Sequence, residues 1–491
     1  MANLNSTISK YLREEIGPGI RESLPALDNL WSKLHTTYMG VTSDGIGRDY
    51  KVIHPFYEGL SGAVQWVAAG GEDVYATQMT HGVIPGTPRV FPGLDQSVMP
   101  GAFNKTITLT ELLANVFIPD EYLRGDKLSA SIASSVETIF KGHYKLAALA
   151  EIIPFFSNDG TKQHMYKIAN SPTLTGATIS TIVRDGSVQT AYTGTHVDIY
   201  DSTLATKRNS VDLVIDGVRY IPASTDTSGY GSVTLRTVDG STFAVSAAGV
   251  VAGDLVVLRS NVSSAAGLGP KSPKSWLLTT GTAFGINVAT YEQMQSVVAS
   301  SLNQALDGVL LTKICSRYFR AYGMDNLPDT ILTSQGVKNA MVEVTPSLGS
   351  LQVFRNQNDR YTPKEGYRMD SSPFEFNGMP INLMVSAYFP SDTDFTAQGT
   401  SYGGSAWGLK LRDKNLMRYV PPPISGSGTD PKLGREAEFK FGNGYGPNGL
   451  FWPVTSADRP TFWSQAPWTK RVAICPKVLQ GIRLENLAES L

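Results

Sequence analysis

Any chemistry in this chain would have to come from a small set of reactive side chains. Six histidines, His35, His54, His81, His143, His164 and His196, are scattered along 491 residues. No two of them take the spacing that places a pair of imidazoles on one helix face for a metal. Each reads as a satisfied or exposed imidazole rather than a ligand. The two cysteines, Cys315 and Cys475, form no CxxC, which excludes a zinc site or a disulfide framework. Cys315 falls on the apolar side of an expected helix and reads as a buried free thiol. Asp392 and Asp394 are a carboxylate pair in a turn, better explained by solvation than by metal binding. Gly442-Asn443-Gly444-Tyr445-Gly446 has the composition of a phosphate-cradling loop. It follows no long buried strand and opens no helix, so a turn is the better reading. Lys271 and Lys274 beside Pro273 make a local basic spot, far short of a nucleic-acid patch. HExxH, GxSxG and Walker motifs are absent. The residues therefore predict no enzyme, with no catalytic, cofactor-binding or metal-binding residues and no cofactor, and they favour a structural or binding role.

Composition narrows the class further. Lys and Arg number 42 against 43 Asp and Glu, a net charge of −1, so bulk electrostatics would not hold nucleic acid and any such contact would be local. Charged residues are 17% and hydrophobic ones 41%, with 47 Gly and 28 Pro, a balance that favours turns and short strands over long bundles. At roughly 150 residues per domain the length suggests about three domains. No run of apolar residues is long enough for a transmembrane helix, and Met1 to Lys10 lacks an apolar signal core, which predicts a cytosol-like compartment and no membrane partner.

The elements that would position these residues begin with Asp120 to Ile153. Pro119-Asp120-Glu121 suits a helix start, and Leu128, Ile132, Val136, Ile139, Phe140 and Tyr144 recur at helical spacing, with Pro154 expected to stop the pattern. Such a helix would lie as a spine along a sheet. Upstream, Ile8, Leu12, Ile16 and Ile20 are helically spaced but cut by Gly17-Pro18-Gly19, and a second short helix is expected from Pro25 to Leu34. Two pieces so small must pack on something else, in this molecule or a neighbour. Gly40 to Phe103 reads as a protruding β-loop that reaches a partner, with a hairpin signal at Gly70-Gly71.

From Thr173 to Asn261 the texture turns to strands. Asp185-Gly186, Asp216-Gly217 and Asp239-Gly240 are expected as type I′ hairpin turns in a small all-β unit, a barrel or sandwich. Gly267 to Ser275 reads as a linker. Thr290-Tyr291-Glu292-Gln293 fits a capping box for a helix running through Met294, Val298, Leu302, Leu306, Leu310 and Ile314 to about Gly323. Thr330 to Thr333 is an expected buried strand, followed by a helix capped by Thr333 or Ser334, and Asn377-Gly378 marks a further I′ hairpin. Tyr402 to Trp468 reads as irregular, aromatic-packed surface structure, and Arg471 to Pro476 as a closing strand with a short tail to Leu491.

The order of these elements resembles the major capsid protein of tailed bacteriophages, the two-domain shell fold shared with encapsulins. The resemblance rests on Tyr11 to Ile16 with Leu27 to Leu34; on Gly40 to Phe103; on Ile107 to Leu109 leading through Val116 to Pro119 into the spine helix; on Leu327 to Ser334; on Phe376 to Ile381; and on Arg471 to Leu487. It implies an α+β tailed-phage major capsid fold with long spine helix, extended E-loop and N-arm, plus an inserted small all-β domain. The implied divisions are 1–39 as N-terminal arm, 40–104 as E-loop, 105–165 as peripheral domain, 166–265 as inserted β domain and 266–400 as axial α/β domain. The remaining 401–491 would be an aromatic-rich segment with the closing peripheral-domain strand. The resemblance also implies hexamers and pentamers in an icosahedral shell enclosing double-stranded DNA without sequence-specific binding. Portal, scaffold and decoration proteins are implied partners, and the implied location is a virion capsid assembled in the bacterial host cytoplasm. An encapsulin-like compartment, a β-rich tail or receptor-binding protein and a polymer hydrolase are the competing readings.

Overall fold

The computed structural model describes residues 28–38, 51–57, 102–119, 142, 145–156, 164–169, 172–184, 190–219, 231–241, 249–259, 269–324, 326–347, 374–390, 401–420, 439–441, 452–453 and 463–490. Among them strand exceeds helix. A short helix, Leu30–Lys33, precedes β1 (His35–Tyr38), β2 (Lys51–Tyr57), β3 (Ala102–Thr108) and β4 (Thr110–Pro119). Residues 145–156 are helical. Next come β5 (Tyr166–Ile168), β6 (Thr173–Thr175), β7 (Thr178–Arg184), β8 (His196–Tyr200), β9 (Leu213–Arg219), β10 (Ser232–Thr237) and β11 (Leu255–Leu258). Then follow β12 (Thr282–Ala283), β13 (Ile286–Asn287), β14 (Val297–Ala299), the helix Gly308–Tyr322, β15 (Thr330–Thr333) and the helix Gln335–Ser347. The last strands are β16 (Phe374–Phe376), β17 (Met379–Val385), β18 (Ser401–Leu409), β19 (Leu416–Val420), β20 (Phe439–Phe441), β21 (Trp452–Pro453), β22 (Trp463–Pro476) and β23 (Ile482–Glu489).

Strands β5 to β11 make one antiparallel sheet in the order β10-β9-β8-β11-β5-β7-β6. Because β10 also pairs with β7, six of these strands close into a barrel. Alternate residues point inward, as the pleat requires, so Leu213, Ile215, Val233 and Leu235 are wholly buried. Tyr166 fills the interior without orphaning its hydroxyl, which shares a 2.9 Å bond with the Thr181 hydroxyl. The expected turn at Asp216-Gly217 is not a turn. It lies inside β9, opposite the step from Thr234, which faces Gly217, to Leu235, which faces Ile215. Asp216 is the extra residue of a β-bulge, and its carboxylate meets Arg236 at 3.2 Å. Barrel curvature has taken a dipeptide suited to a hairpin. Asp239-Gly240 does turn, with Gly240 at φ 70° and the Asp239 carboxylate accepting from the Ser241 amide. Asp185-Gly186 lies outside the described residues.

A second, mixed sheet has the order β14-β23-β18-β15-β17-β16, with β15 parallel to β17 and β14 parallel to β23. Its β15 is buried at all four residues, as its unbroken apolar and Thr composition suggests. Asn377 and Gly378 take φ 48° and 80° and join β16 to β17 in a two-residue loop, the expected I′ hairpin. The helix Gln335–Ser347 starts where expected, with the Ser334 hydroxyl accepting from the Val337 amide. It lies so close to β18 that a Cβ on Gly404 would collide with Val337 and Glu489. The helix expected from Thr290 starts much later. Asp307 is its cap, accepting from the Leu310 amide at 2.7 Å, and the preceding Val297 and Val298 instead form β14 against β23. Two adjacent β-branched residues with a strand edge in reach pair as strand, even though Met294, Val298 and Leu302 keep the helical gap of four.

The reading of Tyr402 to Trp468 as irregular surface gives way as well. β18 sits in the middle of the mixed sheet, with Trp407 buried, and β19 is paired on both sides. The glycines of β18 are where neighbouring side chains and backbone come closest, not breaks. The closing strand is longer than Arg471 to Pro476, since β22 spans Trp463–Pro476 and carries β4 along ten residue pairs, Trp463 with Pro119 to Val472 with Thr110. The expected tail is β23, which returns to the mixed sheet beside β18 rather than to the sheet of β22.

The helical residues 145–156 join these parts. Helix continues through Pro154, where a stop was expected, and residues 151–156 are all buried. Proline in a helix forfeits a hydrogen bond and costs about 3 kcal/mol. Burying Phe155 and Phe156 offsets that by a comparable amount, about 1.5–3 kcal/mol for each side chain. Residues 120–141 of the expected spine lie outside the described residues. From these two rings an aromatic seam runs both ways. Phe156 meets Trp31, Phe389 and Trp407 at 5.9, 6.0 and 6.3 Å. Phe155 meets Trp276 at 6.2 Å, and the seam goes on through Phe284 to Phe56. Beside it Glu151, 1% exposed, receives the Arg418 guanidinium in a fork of 2.6 and 2.9 Å and the Trp31 indole N–H at 2.9 Å. Residues 28–38 thus belong to the body, so the expected arm of 1–39 can reach no further than residue 27. Leu30, Trp31 and Leu34 are core.

Removing one partner of a buried fork leaves an uncompensated charge. Arg418→Met is expected to lower unfolding free energy by about 3–5 kcal/mol in chemical denaturation. Adding Glu151→Gln, which keeps an acceptor for Trp31, should restore part of that loss.

Candidate functional site

No described grouping of three or more His, Cys, Asp or Glu could hold a metal, and no described helix is long and apolar enough to cross a membrane. The scattered histidines stay scattered. His196 is exposed, His164 and His54 are buried, and His35 is half-buried, while His81 and His143 lie outside the described residues. Cys315 is buried on the inner face of its helix, where desolvation pushes its thiol up to about 12. Cys475 is buried in β22 and is raised by the same cause. Both are poor nucleophiles there. Lys274 is engaged with Glu485 at 3.7 Å. Asp392, Asp394 and Gly442 to Gly446 lie outside the described residues.

What the fold does provide is a rooted two-stranded ribbon. β2 and β3 pair over seven residues, from Lys51 with Thr108 to Tyr57 with Ala102, and pair with no other described strand. Residues 58–101 leave and return through this ribbon. Its two faces differ as strand alternation requires. On one, Ile53 is 62% exposed, and Asn104 and Thr106 are exposed too. On the other, His54 and Phe56 are fully buried against the sheet of β19 and β22.

His54 is the root. Its Nε2 lies 3.0 Å from the Pro476 carbonyl, which can only accept, so Nε2 carries the proton and donates. In the neutral ring Nδ1 then accepts from the Tyr419 hydroxyl at 2.6 Å. A protonated ring would be satisfied as well, with the Tyr419 hydroxyl accepting from Nδ1 and turning its own proton to the Met417 sulfur at 3.4 Å, so burial rather than hydrogen bonding sets the charge. Burial holds the imidazole below its usual range; the Pro476 bond opposes this and nearby Lys477 adds to it. The ring also meets the edges of Phe56 and Tyr419 at 4.7 and 5.5 Å.

Two further attachments tie distant segments of the body together. Asp28, buried, accepts from the Leu30 amide at 2.8 Å and from the Ser386 hydroxyl, and burial raises its carboxyl. Asp329 accepts from the Leu411 and Arg412 amides, tying β15 to the turn after β18. These anchors join residues separated by 358 and 82 positions, and His54 to Pro476 by 422. Sequence reading did not find them because no local spacing signals such a pair. For His54 one cue existed, a polar residue at strand alternation between Val52 and Phe56.

No known family profile matches the chain, and no curated protein does. Among solved structures the chain is similar to the cyanophage A-1(L) capsid asymmetric unit, at 11% identity over 94% of this chain and 93% of that one, with a TM-score of 0.39. It is similar to the capsid of the native GTA particle at 9% identity over 93% of this chain and 89% of that one, with a TM-score of 0.35. A holo-SrpI encapsulin complex from Synechococcus elongatus PCC 7942 matches 39% of this chain at 11% identity and a TM-score of 0.23; the match spans about half, 52%, of that encapsulin chain.

Because burial lowers the His54 pKa in the native state while an unfolded histidine titrates near 6.5, the unfolded or undocked state binds more protons just below that pH. Stability of the root is therefore present at neutral pH and is lost progressively as pH falls below about 6.5 toward the lowered native value. Amide exchange in 51–57 and 102–108, corrected for intrinsic rates, should accelerate on acidification. His54→Gln should flatten that dependence.

Proposed function

We propose that this chain is the major shell subunit of a tailed bacteriophage head, assembling as hexamers and pentamers into an icosahedral shell around double-stranded DNA. The observation that carries this reading is the ribbon of β2 and β3, rooted at His54, with a free backbone edge on each side among the described residues. A two-stranded ribbon is marginal alone, and unpaired edges with an exposed Ile53 seek another surface. In this reading residues 58–101 are the E-loop lying over the next subunit, and residues 1–27 are an arm that does the same. Residues 145–156 end the spine helix of the peripheral domain, the mixed sheet with its two helices is the axial domain, and the closed barrel is an inserted domain. Near-neutral net charge suits a shell that contains DNA without condensing it. Portal, scaffold and decoration proteins would be partners, the chain would be no enzyme, and it would reside in the virion after assembly in the host cytoplasm.

Electron microscopy of the purified protein tests the reading: closed icosahedral particles are expected, and a compact monomer at high concentration would overturn it. Particles filled with protein in place of DNA would move the assignment to an encapsulin-like compartment. Deletion of residues 1–27 should leave a folded chain that fails to close shells. Deletion of 1–34 should instead prevent folding, because losing a buried Trp or Leu costs about 2–5 kcal/mol each and this deletion removes Leu30, Trp31 and Leu34 together.

A further inference from the structure

The helix Gly308–Tyr322 presents two unlike faces. Leu310, Leu311, Ile314, Cys315 and Tyr318 are buried against the mixed sheet. On the opposite side Lys313, Arg317 and Arg320 are all exposed. Gaps of four and three residues put these three cations in one stripe, about 10 Å long at 1.5 Å per residue. The helix carries no acidic residue along its fifteen positions, so nothing on it offsets the stripe. Some exposed cations elsewhere find carboxylates, Lys207 with Asp198, Arg236 with Asp216 and Arg259 with Asp212, while Lys33, Arg219, Lys271 and Lys414 stand singly among the described residues, so what sets this helix apart is that three such cations share one stripe. None of the three on this helix forms an ion pair with a described residue. In a chain of net charge −1, three cations on one rigid face with no described ion-pair partner are a local concentration of positive potential.

We propose that this stripe is a contact for the phosphate backbone of double-stranded DNA, a deepening that rests on the shell reading above. Phosphates suit it for a physical reason. Exposed Lys and Arg held on a helix neutralise phosphates without reading bases, and each contact releases about one condensed counterion. The rigid backbone limits the ordering cost to the three side chains. A protein partner is less well matched: the helix's two exposed large apolar side chains, Val309 and Phe319, lie apart from each other beside the stripe rather than at its centre, and a protein–protein contact needs a desolvated apolar centre. Binding is expected to be weak per subunit and independent of base sequence, becoming substantial only through many copies on one shell.

The test uses the unassembled full-length chain and a short duplex of random sequence, with affinity followed by fluorescence anisotropy over a range of salt. For three phosphate contacts the slope of log affinity against log salt should change by about 0.9 per contact, or about 2.7, between wild type and the triple variant Lys313→Gln, Arg317→Gln, Arg320→Gln. The charge-keeping triple Lys313→Arg, Arg317→Lys, Arg320→Lys should retain the wild-type slope. All six substitutions are at exposed positions, and unchanged unfolding midpoints would show that the fold is kept. An unchanged slope in the glutamine variant, a lost slope in the charge-keeping one, or no salt-dependent binding by the wild type would each overturn the proposal. Particle formation by the same variants is scored separately, so a chain that forms shells but shows no slope change refutes the DNA contact and leaves the shell reading standing.

Discussion

The contact on which the architecture turns is the buried fork between Glu151 and Arg418, closed by the Trp31 indole. Each charge alone would be costly in that interior, and together they are tolerated because each carboxylate oxygen meets a donor. A hydrophobic pair of the same volume could be as stable, so what the fork supplies is specification. It requires the helical residues 145–156, the N-terminal turn and β19 to arrive together. It also fixes register. Arg418 faces Thr36 of β1 on one side and Ile474 of β22 on the other, and a slip of one residue would turn its guanidinium to the opposite face of the sheet. The aromatic seam through Phe155 and Phe156 then packs around a geometry already chosen.

Where structure is local, the sequence was legible. Asn377-Gly378 made its turn because two adjacent positive φ values leave few alternatives. Ser334 capped its helix, β15 was a buried strand, and Cys315 took the inner face of its helix. Legibility failed where a distant partner decided the outcome. Asp216-Gly217 became a bulge because the barrel had to curve there, and Val297-Val298 became strand because β23 offered an edge. Pro154 stayed helical because Phe155 and Phe156 had a core to enter. Gly-rich β18 looked irregular because its glycines serve a close approach by Val337 and Ile482 that only the fold reveals. The anchors of the ribbon failed for the same reason in stronger form: His54, Tyr419 and Pro476 carry no common motif, and only the completed sheet brings them within hydrogen-bonding distance.

Division of labour between the two strands of the ribbon follows from alternation alone. β2 turns His54 and Phe56 inward and Ile53 outward, so one short strand both fastens the ribbon and gives it an exposed face. Pro55 sits between them without an amide proton to donate, a residue that suits an edge and blocks indiscriminate strand addition. The edge is thus open but selective.

The barrel's first and last strands, β5 and β11, are hydrogen-bonded neighbours, with Lys167 facing Leu255 and Tyr166 facing Val256. The polypeptide therefore enters and leaves that unit through a single narrow doorway. Evolution could lengthen, shorten or exchange everything beyond it while the two sheets outside stay where they are, which makes this the natural place for such a chain to acquire new surface.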